Sequence, residues 1–240
     1  MLLRVWALLA VVLTGSGIVG AAAPASSVIV NNNCTICFDV ASFVVDTFIP
    51  IGGEAIILDE CVTVICQNDE ICALFCMAYI SQEFQERLNA TDLDPVYFCQ
   101  QERYCPVADC NGDCASITTI QAQPTFGLAP QEFKFPFTWQ AKQKWAGTGS
   151  MYFGVYGPLG EGYDFVGDDV TLLQGFQPGK VNSEFTITCD ENWFTGNYTA
   201  VVRICEGFCG EFGPSQHPHT RILAETHVDF ACENDDVSEH

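Results

Sequence analysis

Phe133-Lys134-Phe135-Pro136-Phe137-Thr138-Trp139 alternates a large aromatic with a polar or small residue at every step. Successive side chains of a β-strand point to opposite faces, so this stretch puts four aromatics on one side and predicts a half-buried strand. Further strand candidates follow at residues 150–156, 184–189, 198–205 and 222–232, separated by Gly, Pro and Asn clusters. Five or more strands at this spacing predict an antiparallel β-sandwich over residues 132–233. Four cysteines, Cys189, Cys205, Cys209 and Cys232, fall in that span and are expected to pair among themselves, in an order the sequence leaves open.

Towards the N-terminus the pattern changes. Residues 109–131, rich in Thr, Gln and Pro, read as a linker, with Cys110-Asn-Gly-Asp-Cys114 closing a tight local loop. Before it the apolar period is helical. Ile36, Val40, Phe43, Val44 and Phe48 recur at steps of three and four, which gathers them on one stripe. Pro50 and Gly52-Gly53 stop that helix. Ile56, Ile57 and Val64 repeat the pattern in a second helix. Asn68 or Asp69 can cap a third, running to about Leu88 and carrying Leu74, Phe75 and Ile80. Asp94 caps a short fourth, with Pro95 at its first position.

The whole chain of 240 residues bounds the function class. Residues 1–25 read as a secretory leader: Arg4, an apolar run from Leu8 to Leu13, and small residues from Ala21 to Ala25. The apolar run is shorter than the roughly 20 residues a spanning helix needs. Fourteen cysteines, an even number, suit an oxidising compartment and predict seven disulfides. Zinc is the rival for such close cysteines, but the first cluster contains no histidine. The sequons at Asn33, Asn89 and Asn197 suit a secreted glycoprotein, although the first has the half-cystine Cys34 in its middle. A net charge of −21 repels nucleic acid, and anionic membranes at neutral pH. Near pH 4 to 5 carboxylates with ordinary values of roughly 3.9 and 4.3 begin to neutralise, so any lipid binding is expected to strengthen in acid. Residues 234–240 form an acidic tail.

The N-terminal cysteines carry a resemblance. Cys34-x2-Cys37, Cys61-x10-Cys72 and Cys99-x5-Cys105, with Tyr79 seven after Cys72 and Pro95 four before Cys99, resemble the six-cysteine frame of saposin-like domains. The resemblance covers residues 30–107 and implies a disulfide-stapled four-helix domain over 28–108 with Cys34–Cys105, Cys37–Cys99 and Cys61–Cys72 bridges. Cys66 and Cys76 lie outside the frame and pair most simply with each other. A plain helical hairpin would instead prefer Cys61–Cys76 with Cys66–Cys72. The fold class expected is therefore α+β with two domains, a four-helix saposin-like domain followed by an antiparallel β-sandwich. That order of modules in a small acidic protein is similar to the countin-like secreted factors of social amoebae. The similarity implies extracellular signalling that sets the size of cell groups, within a protein complex.

On this reading the lipid-facing residues are Val40, Phe43, Val44, Ile56, Ile57, Val64, Leu74, Phe75 and Ile80. Burying one such side chain contributes roughly 1.5 to 3 kcal/mol, so several together could hold a lipid or dock on a membrane. A closed apolar core, a pure protein-binding module and an amoebapore-like pore-former stay open beside it. No catalytic residue, metal site or cofactor is expected. Phosphate loops, nucleophile elbows and His-Glu-x-x-His are absent, and the four histidines, His217, His219, His227 and His240, all come late. Asp168-Asp169 and the tail lack the ligand spacing of a calcium loop. The protein is expected outside the cell or in an acidic vesicle.

Overall fold

The computed structural model describes residues 32–43 and 93–234, apart from 159–164 and 211–212, together with residues 45, 63, 66, 73, 86, 87, 90 and 91. The leader, the tail beyond Asn234, Asn89 and Cys61, Cys72 and Cys76 lie outside the described residues, as do Val44, Ile56, Ile57, Val64, Leu74, Phe75 and Ile80.

Ten strands carry most of the described chain. They are β1 Ala115–Ile120, β2 Phe126–Leu128, β3 Gln131–Ala141, β4 Trp145–Tyr156, β5 Phe165–Phe176, β6 Gly179–Cys189, β7 Gly196–Glu206, β8 Cys209–Gly210, β9 Gly213–Pro214 and β10 Arg221–Glu233. One sheet has the order β1-β3-β6 and the other β2-β10-β7-β4-β5, while β8 and β9 form a small ribbon. All pairings are antiparallel except β2 against β10.

The two main sheets face each other across an aromatic core, which fits a β-sandwich. Phe133, Phe135, Phe137 and Trp139 of β3 are all buried, as their alternation requires. Phe133 and Phe135 meet Phe230 of β10 at ring distances of 4.7 and 5.2 Å, and Phe135 meets Phe153 of β4 at 5.2 Å. Phe153 in turn stacks on Phe185 of β6 at 4.5 Å. Cys189–Cys232 links the end of β6 to β10, and so ties one sheet to the other.

The helical half departs from expectation. In place of a four-helix saposin-like domain, the described residues carry two short helices, α1 Asn32–Phe43 of 12 residues and α2 Pro95–Gln101 of 7. The physical reason is that a cysteine frame specifies which positions meet, not the backbone conformation of the chain between them. Cys34–Cys105 and Cys37–Cys99 do bridge, at Cα separations of 4.7 and 5.9 Å. Cys66 is also disulfide-bonded, to a partner outside the described residues. Asp94 caps α2, accepting from Tyr97 N at 2.8 Å, with Pro95 at the first helical position.

Two strands fall within residues 109–131, which read as a linker, and β5 was not foreseen either. Its sequence explains why. Asp168-Asp169 interrupts any apolar alternation, and Asp169 stands opposite Phe153, on the inner face of an edge strand. An inward charge blunts an edge that would otherwise template pairing with another chain. Burial pushes the Asp169 carboxyl above its ordinary value of 3.8, against a hydrogen bond from the Val170 N–H. The native state therefore holds the proton more tightly than the unfolded chain, and this carboxyl's contribution to stability rises as pH falls through the window above 3.8. Asp169→Asn is expected to raise Tm at pH 7 and to flatten the pH dependence between pH 7 and 4. A lower Tm at pH 7 would contradict that assignment.

Candidate functional site

The outer face of the five-stranded sheet is where the two parts of the chain meet. Met151 and Phe153 of β4 point into the sandwich, so Ser150 and Tyr152 point away from it. Leu172 and Gln174 of β5 pair with Ser150 and Thr148 and share that outer face. Leu172 packs against the cluster built by Cys34, Cys37, Val40, Ala41, Phe98, Cys99 and Cys105. Gln174 Nε2 donates to Thr35 Oγ1 of α1 at 2.6 Å. The helices thus form a third layer on the sheet.

After α2 the chain runs along this sheet and is pinned at each step. Thr148 Oγ1 donates to Pro106 O at 2.9 Å, and Trp145 Nε1 to Ala108 O at 2.6 Å. Glu206, at the end of β7, is 3% exposed. Its Oε1 accepts from Cys110 N at 2.6 Å and its Oε2 from Arg221 Nε at 2.8 Å. Glu206→Ala leaves a buried N–H and a cation unpaired. With the Arg221 side chain 47% exposed, the expected loss is about 2 kcal/mol, or roughly 4–8 °C in Tm. A melt within 1 °C of the native protein would show that the contact contributes nothing.

The strap of residues 215–219 closes the seam from the other side. Ser215 Oγ donates to Asp94 Oδ2, on the carboxylate that caps α2. His217 Nε2 donates to Thr91 O at 2.7 Å, and its ring stacks on Tyr97 at 3.6 Å. His219 Nδ1 lies 2.5 Å from Asp109 Oδ1. Asp94 is 1% exposed, and burial pushes its carboxyl up despite the opposing Ser215 and Tyr97 hydrogen bonds and the nearby His217. Aspartate, serine and histidine come together here, but not as a nucleophilic relay. Ser215 bonds the carboxylate rather than the imidazole, and the imidazole bonds a backbone carbonyl. The arrangement is a clasp holding the start of α2 to the β8–β10 strap.

Tyr152 is fully buried on the outer face of the five-stranded sheet, with Tyr152 OH 2.9 Å from Tyr156 OH and the Arg203 guanidinium 5.3 Å from its ring centre. Burial, and then Tyr156, push the Tyr152 phenol up. Among the described residues no three His, Cys, Asp or Glu side chains converge in a way that could hold a metal ion. No described helix is long and apolar enough to cross a membrane.

Of the residues read as lipid-facing, two are described. Val40 is fully buried in the disulfide-centred cluster, and Phe43 packs partly buried against it. The clasp residues were not singled out from the sequence as a unit. Only the Asp94-Pro95 cap carried a signal, and nothing in the sequence joins it to Ser215, His217 or His219. Asn33 and Asn197 are both exposed.

Residues 115–237 match the family description Countin C-terminal domain. The chain belongs to the countin family. The matched segment opens at the first residue of β1 and takes in all ten strands, so the countin C-terminal domain is the sandwich together with its ribbon. Countin-1 of Dictyostelium discoideum is 29% identical over 174 residues, covering 71% of this chain and 63% of countin-1. Countin-3 of the same organism is 26% identical over 160 residues, covering 67% of this chain and 69% of countin-3. The chain therefore spans less than two thirds of countin-1. Among solved structures, an alkylpurine DNA glycosylase from Pseudomonas fluorescens is similar at a TM-score of 0.40 and 10% identity, over 66% of this chain and 39% of that one. A likeness at that level carries no argument about fold or function.

Proposed function

We propose that this protein is secreted and acts, without a catalytic step, as a countin-like regulator of cell-group size through contacts with other proteins. The observation that carries the reading is the countin C-terminal domain over residues 115–237, which coincides with the complete sandwich. The leader-like residues 1–25 and the disulfides support an extracellular place of action. A protein partner is favoured over lipid by the two described residues of the apolar helix faces, since Val40 is fully buried and Phe43 packs against the same cluster, with Leu172 of the sheet beneath it. The charge of −21 disfavours an anionic membrane at neutral pH in the same direction.

The test is functional. Purified protein is added to aggregating social amoeba cells, and the number of cells per group is counted against buffer and against reduced, unfolded protein. A dose-dependent change in group size with the folded protein alone is expected. No change at any dose, with binding to neutral or anionic vesicles at pH 4.5 instead, would favour the lipid-engaging alternative.

A further inference from the structure

The end of the sandwich far from the clasp exposes apolar surface beside a sequon. Phe126 and Leu128 of β2 are 49% and 46% exposed, and Phe194, in the turn before β7, is 62% exposed. The register across three strands reads Asn197, Ala231, Phe126. Tyr198 and Ala200 of β7 point into the core, as do Phe230 and Cys232 of β10. Asn197 and Ala231 therefore point outward, and Phe126, the parallel partner of Ala231, joins them on that face. Strands lie about 4.8 Å apart, so Asn197 and Phe126 stand roughly 10 Å from one another. The alanine between them leaves an open floor.

We propose that Asn197 carries an N-linked oligosaccharide whose core sugars lie across Ala231 onto the ring of Phe126, covering the apolar outer end of this sheet. The proposal rests on the secreted reading above, because the sugar donor is a lipid-pyrophosphate-linked oligosaccharide of the secretory lumen. In the transfer, the Asn197 side-chain nitrogen bonds the anomeric carbon, the lipid pyrophosphate leaves with the bonding electrons, and the amide gives up one proton. Length and chemistry both fit. One or two pyranose rings span about 10 Å, and the C–H face of a pyranose packs on the negative face of an aromatic ring while its hydroxyls stay in water. β2 is a three-residue edge strand, and a bulky hydrophilic cover shields such an edge from another chain. Asp229 and Glu233 flank the patch on the same outer row, which a neutral sugar tolerates.

The full chain is expressed in a eukaryotic secretory host, behind its own leader segment and in parallel behind the host's. Glycopeptide mass spectrometry reads Asn197, and melts are taken of the native protein, N197Q, F126S, F126Y and N197Q/F126S. Asn197 is expected to be occupied. N197Q should lower Tm by about 3 °C when residue 126 is Phe and leave it unchanged in the F126S background. F126Y, which keeps the ring, should melt with the native protein. Unmodified Asn197 on secreted protein overturns the proposal, as does an equal loss in both backgrounds. If only the host leader exports the chain, the secreted reading fails while occupancy and coupling still decide this one.

Discussion

Replacing both partners of the inter-sheet bridge, Cys189→Ala with Cys232→Ala, lowers Tm by roughly 8–16 °C. The cysteines are 43 residues apart, and closing a loop of that length constrains the unfolded chain by about 4 kcal/mol in the chain-entropy account. Cys110–Cys114 and Cys205–Cys209 each span a separation of 4, and the same relation gives each about half as much. Position reinforces the ranking. Both sulfurs are buried, and the bridge joins β6 of one sheet to β10 of the other. The variant should still fold, because the aromatic core remains. Calorimetry of the non-reduced proteins checks it, and a loss below 3 °C would mean that the sheets need no covalent tie.

Phe135→Ala is expected to cost about 3–5 kcal/mol, or roughly 6–20 °C in Tm, the scale of a large core ring removed where neighbours cannot collapse. Phe135 is fully buried at the middle of β3, with Phe153 and Phe230 of the opposite sheet each 5.2 Å away. The cavity would open between sheets held apart by their remaining aromatics. Phe135→Leu fills most of the volume and should lose less than about 1.5 kcal/mol. Denaturant unfolding measures both. Equal losses for Ala and Leu would show that the ring contacts, rather than the volume, set the cost.

These residues also show how much of the molecule was legible in the sequence. The alternation in residues 133–139 announced β3 because one of its faces is wholly core and the other is not. β4, β6, β7 and β10 were visible for related reasons, and α2 was readable from its Asp-Pro start. β5 was hidden because an edge strand needs no clean alternation and carries an inward Asp169. β1 was hidden because its exposed Thr118 and Thr119 share the polar composition of a linker, and β2 because three residues, Phe126-Gly127-Leu128, are too few to show a period. The helical half misled for another reason. Its cysteines meet as a saposin-like frame requires at two bridges, while the described helices are short, pack on each other and touch the sheet at Leu172 and Gln174. The clasp was out of reach altogether, because it joins Thr91, Asp94 and Asp109 to residues more than 100 positions away.

The seam and the patch divide the work between them. Among the described residues, the clasp, Glu206 and the cluster around Val40 tie α1, α2 and the segment after α2 together and to the sheet. What the described surface offers outward is acidic strand faces and the ends of the sandwich. The measurement that bears most directly on the proposed role is one of assembly. The native protein is isolated from the medium of its source cells without denaturation, sized by light scattering after gel filtration, and its companions are identified by mass spectrometry. A defined assembly well above the mass of one chain, with the same polypeptides in each preparation, is the predicted result. A chain that runs at the mass of a single polypeptide with no protein companion, or one that carries lipid and no protein, would contradict the account.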